Sequence, residues 1–223
     1  MNLPPYIINQ VRKKAFKAAE LPSAVHTVCE EARCPNRGEC FSQKTVTFLL
    51  LGKTCTRNCR FCGVEQGHAG LTPADEIERI LATIHHLQLR YIVLTSVTRD
   101  DLSDGGASIF AEAIRAIRKL DATLKVEVLV PDFRGNLASI DVVCQETPYV
   151  FNHNLELVPS IFKTFRPMGD FQQSLAILDY VKRTGEIPPG VEFIPAENRF
   201  SYTTTIGGNN GNEQSTEGGT GAE

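Results

Sequence analysis

Residues 29–62 read CEEARCPNRGECFSQKTVTFLLLGKTCTRNCRFC. The run opens on Cys29, Cys34 and Cys40, spaced Cys-x4-Cys-x5-Cys, and closes on Cys55, Cys59 and Cys62, spaced Cys-x3-Cys-x2-Cys. Between the triplets, residues 45–51 (TVTFLLL) are β-branched and apolar, and Gly52 ends them. A short run of this kind predicts a strand buried on both faces of a parallel sheet. The second triplet follows at once, in the loop that leaves the strand's C-terminal end. In β/α barrels that end carries the chemistry. Six of the chain's seven cysteines lie within these 34 positions. The seventh, Cys144, falls on a short helical pattern and reads as core.

Three chemistries gather thiols. Disulfide frameworks belong mostly to secreted, loop-rich chains below about 100 residues. This chain has 223 residues and opens MNLPPYIINQVRKK, with no apolar segment of the signal-peptide kind. The expectation is a reducing, cytoplasmic compartment, where clustered thiols read as metal ligands. Structural zinc favours four ligands in paired cysteine spacings, often with histidine. Here two triplets stand, and the nearest histidines, His26 and His68, lie outside the stretch. Iron–sulfur clusters suit soft thiolates and commonly take four cysteines. A triplet leaves one iron without a cysteine, which in a catalytic site is an open position for a substrate.

The rest of the chain supplies the frame. With 42% apolar and 22% charged residues, the composition is that of an ordinary soluble domain. A net charge of −3 argues against a nucleic-acid partner. No apolar run reaches the roughly 18 residues of a membrane span, so no membrane partner is expected. Residues 6–20 read as a helix with Ile7, Ile8, Val11, Ala15 and Ala18 on one side and Arg12, Lys13, Lys14 and Lys17 on the other. The basic side is a solvated face or, more sharply, a dock for an acidic carrier. Residues 21–44, with Pro22, Pro35 and Gly38, read as irregular loop.

Past the second triplet, strands alternate with helices. Strands are predicted at 90–96, 125–130 and 149–152, with a further one at 191–194. Helices are predicted from the capping-box-like Thr72-Pro73-Ala74-Asp75 onward, and at 108–119, 137–144 and 171–183. This order means βαβ units and a parallel sheet. Polar residues gather at two strand ends. Thr95 to Ala107 carries hydroxyls, carboxylates and the pair Gly105-Gly106; the plain reading is a helix-capping turn with Asp104 as N-cap. After the fourth strand, Asn152 and Asn154 share one face and His153 points to the other. His153, like His85 and His86 on the helix after Asp75, reads as structural or surface.

Cys55-Thr56-Arg57-Asn58-Cys59-Arg60-Phe61-Cys62 resembles the CxxxCxΦC signature of radical S-adenosylmethionine (SAM) enzymes, with Phe61 at the aromatic position. The upstream triplet resembles the auxiliary-cluster motif of lipoyl synthases. LTSVTRDDLSDGGA, VEVLVPDFRGN and FNHNLELVPSIFKTFRP extend the likeness in that family's order, over roughly residues 10–182. The resemblance implies an α/β fold: a partial (β/α) TIM-type barrel over 45–202, behind an N-terminal extension with the auxiliary-cluster loop (1–44) and before a flexible tail (203–223). It implies two [4Fe-4S] clusters, one on Cys55, Cys59 and Cys62 and one on Cys29, Cys34 and Cys40, and S-adenosyl-L-methionine at the first. Phe61, Thr95, Ser96, Asn152 and Asn154 are then candidates for binding SAM. The implied reaction is sulfur insertion at C6 and C8 of a protein-bound octanoyl group, started by a 5′-deoxyadenosyl radical, with the upstream cluster as sacrificial sulfur source. The implied partners are an octanoylated carrier (a lipoyl domain or a glycine-cleavage H-type protein) and an electron donor such as flavodoxin or ferredoxin.

The likeness fades after about residue 183. The family's Arg-Ser-Ser-Tyr motif, whose serine is the auxiliary cluster's fourth ligand, has only Arg199-Phe200-Ser201-Tyr202 to match it, far too early in the chain. It reads as chance similarity, with a deletion that kept the end as the alternative. Two other readings stand beside the main one: a non-catalytic iron–sulfur or zinc-binding relic, and another radical SAM enzyme sharing the N-terminal half.

Overall fold

Four strands form one sheet: β1 (Thr45–Leu50), β4 (Tyr91–Ser96), β5 (Lys125–Leu129) and β6 (Val150–Asn152). All three pairings are parallel, and the spatial order β1-β4-β5-β6 follows the sequence without reversal. The structure is a computed structural model that describes residues 25–31, 40, 43–70, 74–184, 193–194 and 203–204. Between β1 and β4, the two-residue strands β2 (Thr54–Cys55) and β3 (Glu65–Gln66) pair with each other.

Right-handed crossovers with no reversal of order put every connecting helix on the same side of the sheet. These helices are α2 (Glu76–Leu87), α3 (Ala107–Leu120), α4 (Leu137–Cys144) and, after β6, α5 (Pro159–Phe165) and α6 (Phe171–Thr184). A four-residue helix, α1 (Val28–Glu31), precedes the sheet. The register assigns the two faces. Val46, Phe48, Ile92, Leu94, Val126, Val128 and Phe151 share one face and are all at most 5% exposed. With the apolar stripes of the helices, including Ile80, Ile84, Phe110, Ile114, Ile117, Ile140, Ile177 and Val181, they form the core. The other face carries Thr47, Val93, Glu127 and Asn152 and is only partly covered. An uninterrupted order with helices on one side is the winding of a barrel segment, the inner face being the polar one.

The expected elements appear, with four differences. The strand at 45–51 is buried on both faces only in its second half: on the inner side Leu49 is 3% exposed, whereas Thr45 and Thr47 are left half-exposed. The strand expected at 191–194 is no addition to the parallel sheet. Phe193–Ile194 (β7) pairs antiparallel with Thr203–Thr204 (β8) instead. Helix α2 starts at Glu76, after Asp75, whose carboxylate pairs with Arg79 one turn on. Helix α5 and the short 3-10 turn at Phe133–Gly135 were not expected. The predicted helix at 6–20, Cys34, Thr72, Pro73 and Ser201 lie outside the described residues. Cys144 packs against the core, and burial pushes its thiol up to about 12. Among the described residues, no helix is long and apolar enough to cross a membrane.

Two local devices hold the ends of β1. Upstream, Thr27 forms an antiparallel bridge to Phe48, and the Leu49 N–H donates to the His26 carbonyl at 2.9 Å. Residues 26–27 therefore lie along the outer edge of β1. Downstream, the Leu51 and Gly52 N–H groups each donate to the buried carboxylate of Glu76 at 3.0 Å. Leu51 then packs on the turn before α3. There Asp104 caps from two residues ahead of Gly106, accepting the N–H groups of Gly106 and Ser108 at 2.9 Å each. Both glycines have positive φ, 63° and 90°. A Cβ on Gly105 would stand 2.9 Å from Phe133 Cδ1, and one on Gly106 would run into Leu51 Cδ1.

Gly106→Ala therefore forces both a left-handed alanine and a collision with a buried leucine. The expected cost is about 1–3 kcal/mol, read as a lower urea midpoint. An unchanged midpoint would show that the turn gives way freely.

Candidate metal centre

The cysteine loop starts at the C-terminal end of β1, and each of its turns is tied to a neighbour. The Gly67 N–H donates to the Cys55 carbonyl at 2.9 Å, and the Cys62 N–H to the Cys59 carbonyl at 3.1 Å. Thr56 is stitched to the loop after β4: its N–H and its hydroxyl both donate to the Thr98 carbonyl (3.0 and 2.9 Å), and its hydroxyl oxygen accepts the Asp100 N–H at 3.1 Å. On the far side, the Arg60 N–H donates to the carbonyl of Phe165, the last residue of α5, at 2.8 Å. Cys55 and Cys59 are half-buried and Cys62 is exposed.

The strongest tie is Arg57, two residues after Cys55. Its guanidinium is 5% exposed and is gripped by two carboxylates. Nε and Nη2 donate to Asp100 at 2.7 and 2.9 Å. Nη1 and Nη2 donate to Asp132 at 2.7 Å each. Asp100 comes from the loop after β4 and Asp132 from the loop after β5, so one side chain binds three strand ends together. Planar, five-donor geometry is what lets arginine serve two carboxylates at once. Asp132 is 1% exposed. Burial pushes its carboxyl up, but the hydrogen bonds and charge of Arg57, with the Arg134 N–H, outweigh this and hold it below the ordinary range.

The three thiols share one small region. Burial pushes the Cys59 thiol up; the Arg166 guanidinium beside it opposes this, and Cys55 and Cys62 reinforce it. Among the described residues, no three His, Cys, Asp or Glu side chains converge on a point as the ligands of one ion must. A four-iron cluster takes each thiolate on a different iron, so its cysteines need only surround a common space. The residues present fit such a group.

Of the other candidates, Phe61 stands on the loop 47% exposed. Thr95 and Ser96 point to opposite faces; the Thr95 hydroxyl donates to the Leu129 carbonyl at 2.8 Å, and Ser96 Oγ is buried without a partner. Asn152 is 6% exposed on the inner face, with its Oδ1 buried and unpartnered. Asn154 lies past the strand end, and its amide donates to Glu156 at 3.0 Å. His153 is 1% exposed, against the Val130 carbonyl at 2.9 Å. Upstream, Cys29 follows the Thr27 bridge and is buried against the core, and Cys40 is half-buried. Sequence reasoning missed Arg57, Asp100, Asp132 and Arg166. Arg57 had a signal, its place between two candidate cysteines, but nothing pointed to its partners.

A parallel sheet wound like a barrel segment, with a three-cysteine loop at the C-terminal end of its first strand, defines a class. The chain belongs to the radical SAM superfamily, whose family model matches residues 49–212. Within it, the chain is similar to lipoyl synthases. It is 52% identical over 154 residues to that of Roseiflexus sp. (strain RS-1), covering 69% of this chain and 51% of the relative. It is 50% identical over 160 residues to that of Aquifex aeolicus (strain VF5), covering 72% and 58%. It is 49% identical over 177 residues to that of Shewanella sp. (strain MR-7), covering 79% and 54%. The likeness read from the motifs thus holds over most of the chain, which spans about half the length of the relatives it matches. The superfamily match runs on to residue 212, past the point where the motif likeness fades. The solved structure of methylornithine synthase superposes with a TM-score of 0.49 and 12% identity, over 63% of this chain and 42% of its own, too loosely to carry a conclusion.

Arg57→Leu leaves Asp132 buried without its cation, and a loss of about 3–5 kcal/mol in urea unfolding at neutral pH is expected. Asp132→Asn, which keeps the shape, isolates the charge. The folded carboxyl titrates below the unfolded one, so its stabilisation is complete above about pH 3.9 and is lost as the pH falls through the folded value. The stability gap between parent and Asp132→Asn should therefore close in strong acid; a constant gap across that range would contradict the clamp.

Proposed function

We propose that this chain carries lipoyl synthase activity: SAM-dependent insertion of two sulfurs, at C6 and C8, into an octanoyl group carried on a protein lysine. What carries the reading is the triplet Cys55, Cys59 and Cys62 at the C-terminal end of β1, in a chain about half identical to curated lipoyl synthases. These three cysteines would hold a [4Fe-4S] cluster and leave one iron open to SAM. When bound, the cluster supplies the electron that reductive cleavage of SAM requires. A second cluster, on Cys29, Cys34 and Cys40, is proposed as the sulfur donor; the spacing of these cysteines supports it. A carbon radical lives briefly, so a donor already in place is what the chemistry asks for.

The chain's own residues do the positioning. Arg57, Thr56 and the Arg60 N–H hold the loop on three sides. Asn152 offers a buried, unpartnered carbonyl on the inner face, suited to a donor group of SAM. Exposed Phe61 stands beside Cys62 as a wall of the same mouth. An octanoylated lipoyl domain or H-type protein and a flavodoxin- or ferredoxin-like electron donor are the proposed partners, in a cytoplasmic setting that keeps the ligand thiols reduced.

Anaerobic reconstitution should load about eight irons per chain for two four-iron clusters. With reductant and SAM, the parent should release 5′-deoxyadenosine, Cys59→Ala should release none, and Cys34→Ala should keep part of it while losing sulfur insertion into an octanoylated carrier. Equal loss of both readouts in the two variants would end the division of labour. Tightly held zinc in place of iron would favour a non-catalytic binding protein. Deoxyadenosine without sulfur insertion in the parent would point to another radical SAM reaction.

A further inference from the structure

The inner face of the sheet carries a hydrogen-bonded row that the cysteine loop does not explain. Asn152 Nδ2 donates to Glu127 Oε1 at 2.5 Å, and the Tyr91 hydroxyl donates to Glu127 Oε2 at 2.5 Å. Tyr91 packs edge-on against Tyr149, with ring centroids 6.1 Å apart. Burial, and then the adjacent Glu127, push the Tyr91 phenol above its ordinary range, so it stays a donor. Glu127 thus accepts on both oxygens. If the Asn152 amide turned over, its oxygen would face a carboxylate oxygen, so the amide has one stable orientation. In that orientation Oδ1 is aimed away from Glu127, and it is this atom that is buried without a partner. A buried acceptor left unpaired costs about 1–3 kcal/mol, and native proteins rarely keep one without a use. It sits at the C-terminal end of β6, the end of the sheet where ligands bind.

We infer that Glu127, steadied by Tyr91, is a positioning residue that sets the polarity of the Asn152 amide, so that β6 presents a fixed acceptor to an N–H or O–H donor of the bound nucleoside. The inference rests on the proposed SAM site. Three parts of SAM carry such donors: the adenine 6-amino group, the ribose hydroxyls and the α-ammonium group. Adenosine has the first two and methionine the third alone, so each can be tried as a competitor.

The test is equilibrium dialysis of SAM against the anaerobically reconstituted full chain. Glu127→Gln lets the amide at 152 turn, and SAM should bind about tenfold more weakly. Tyr91→Phe, which leaves Glu127 and Asn152 in place, should weaken it about two- to threefold. In the double variant Glu127→Gln/Asn152→Asp, the new amide donates to the new carboxylate, whose other oxygen again faces the ligand. Binding should return to within about threefold of the parent. Competition by one fragment, adenosine or methionine, should weaken with Glu127→Gln while the other is unchanged; this names the end of SAM that donates. Parent-like SAM binding by Glu127→Gln overturns the inference and leaves the SAM site standing. So does a double variant that binds no better than Glu127→Gln. A parent chain that binds no SAM overturns both.

Discussion

One buried guanidinium determines where the cysteine loop lies. Arg57 stands inside the Cys-x3-Cys segment, yet its bonds go to carboxylates after β4 and β5. A loop of small and polar residues has little apolar surface with which to fix itself. Here the fixing is electrostatic, in a place dry enough for the pairing to matter. The arrangement sums to one negative charge, and the Arg134 N–H, which donates to Asp132, offsets part of it. Glu76 acts in the same sense one step earlier, taking the two backbone N–H groups where β1 ends. The loop's cysteines are thus placed by polar contacts whose partners stand on the loops after β4 and β5 and at the end of α5.

The two faces of the sheet divide the work. The helix-covered face is continuous and apolar, and supplies the stability that lets the other face be polar. On the inner face, Tyr91, Glu127 and Asn152 form a connected row that climbs towards the mouth. A polar row on a half-covered face is expensive unless its members satisfy one another. These do, apart from Asn152 Oδ1 at the upper end.

Much of this could be read from residue order. The strands expected at 90–96 and 125–130 appear at Tyr91–Ser96 and Lys125–Leu129. The cysteine spacing located the loop, and the loop's place after TVTFLLL located the mouth. Two-sided burial of that strand holds at Leu49 but not at Thr45 and Thr47, which are β-branched but not apolar. Helix α5 escaped notice because Ile161 and Phe165 lie exposed on it, leaving no clean apolar stripe. The clamp was illegible for a different reason. Arg57 meets Asp100 43 positions away and Asp132 75 positions away, and no local pattern pairs residues at that separation. The same holds for Glu127 and Asn152, 25 positions apart.

The Thr27 bridge has a consequence for how copies of this chain can meet. With residues 26–27 lying along the middle of β1's outer edge and β8 lying against β6, neither margin of the four-stranded sheet is wholly bare among the described residues. A bare margin is a template on which another chain can add a strand. Self-association through strands would therefore need one of these short covers to be pulled away first.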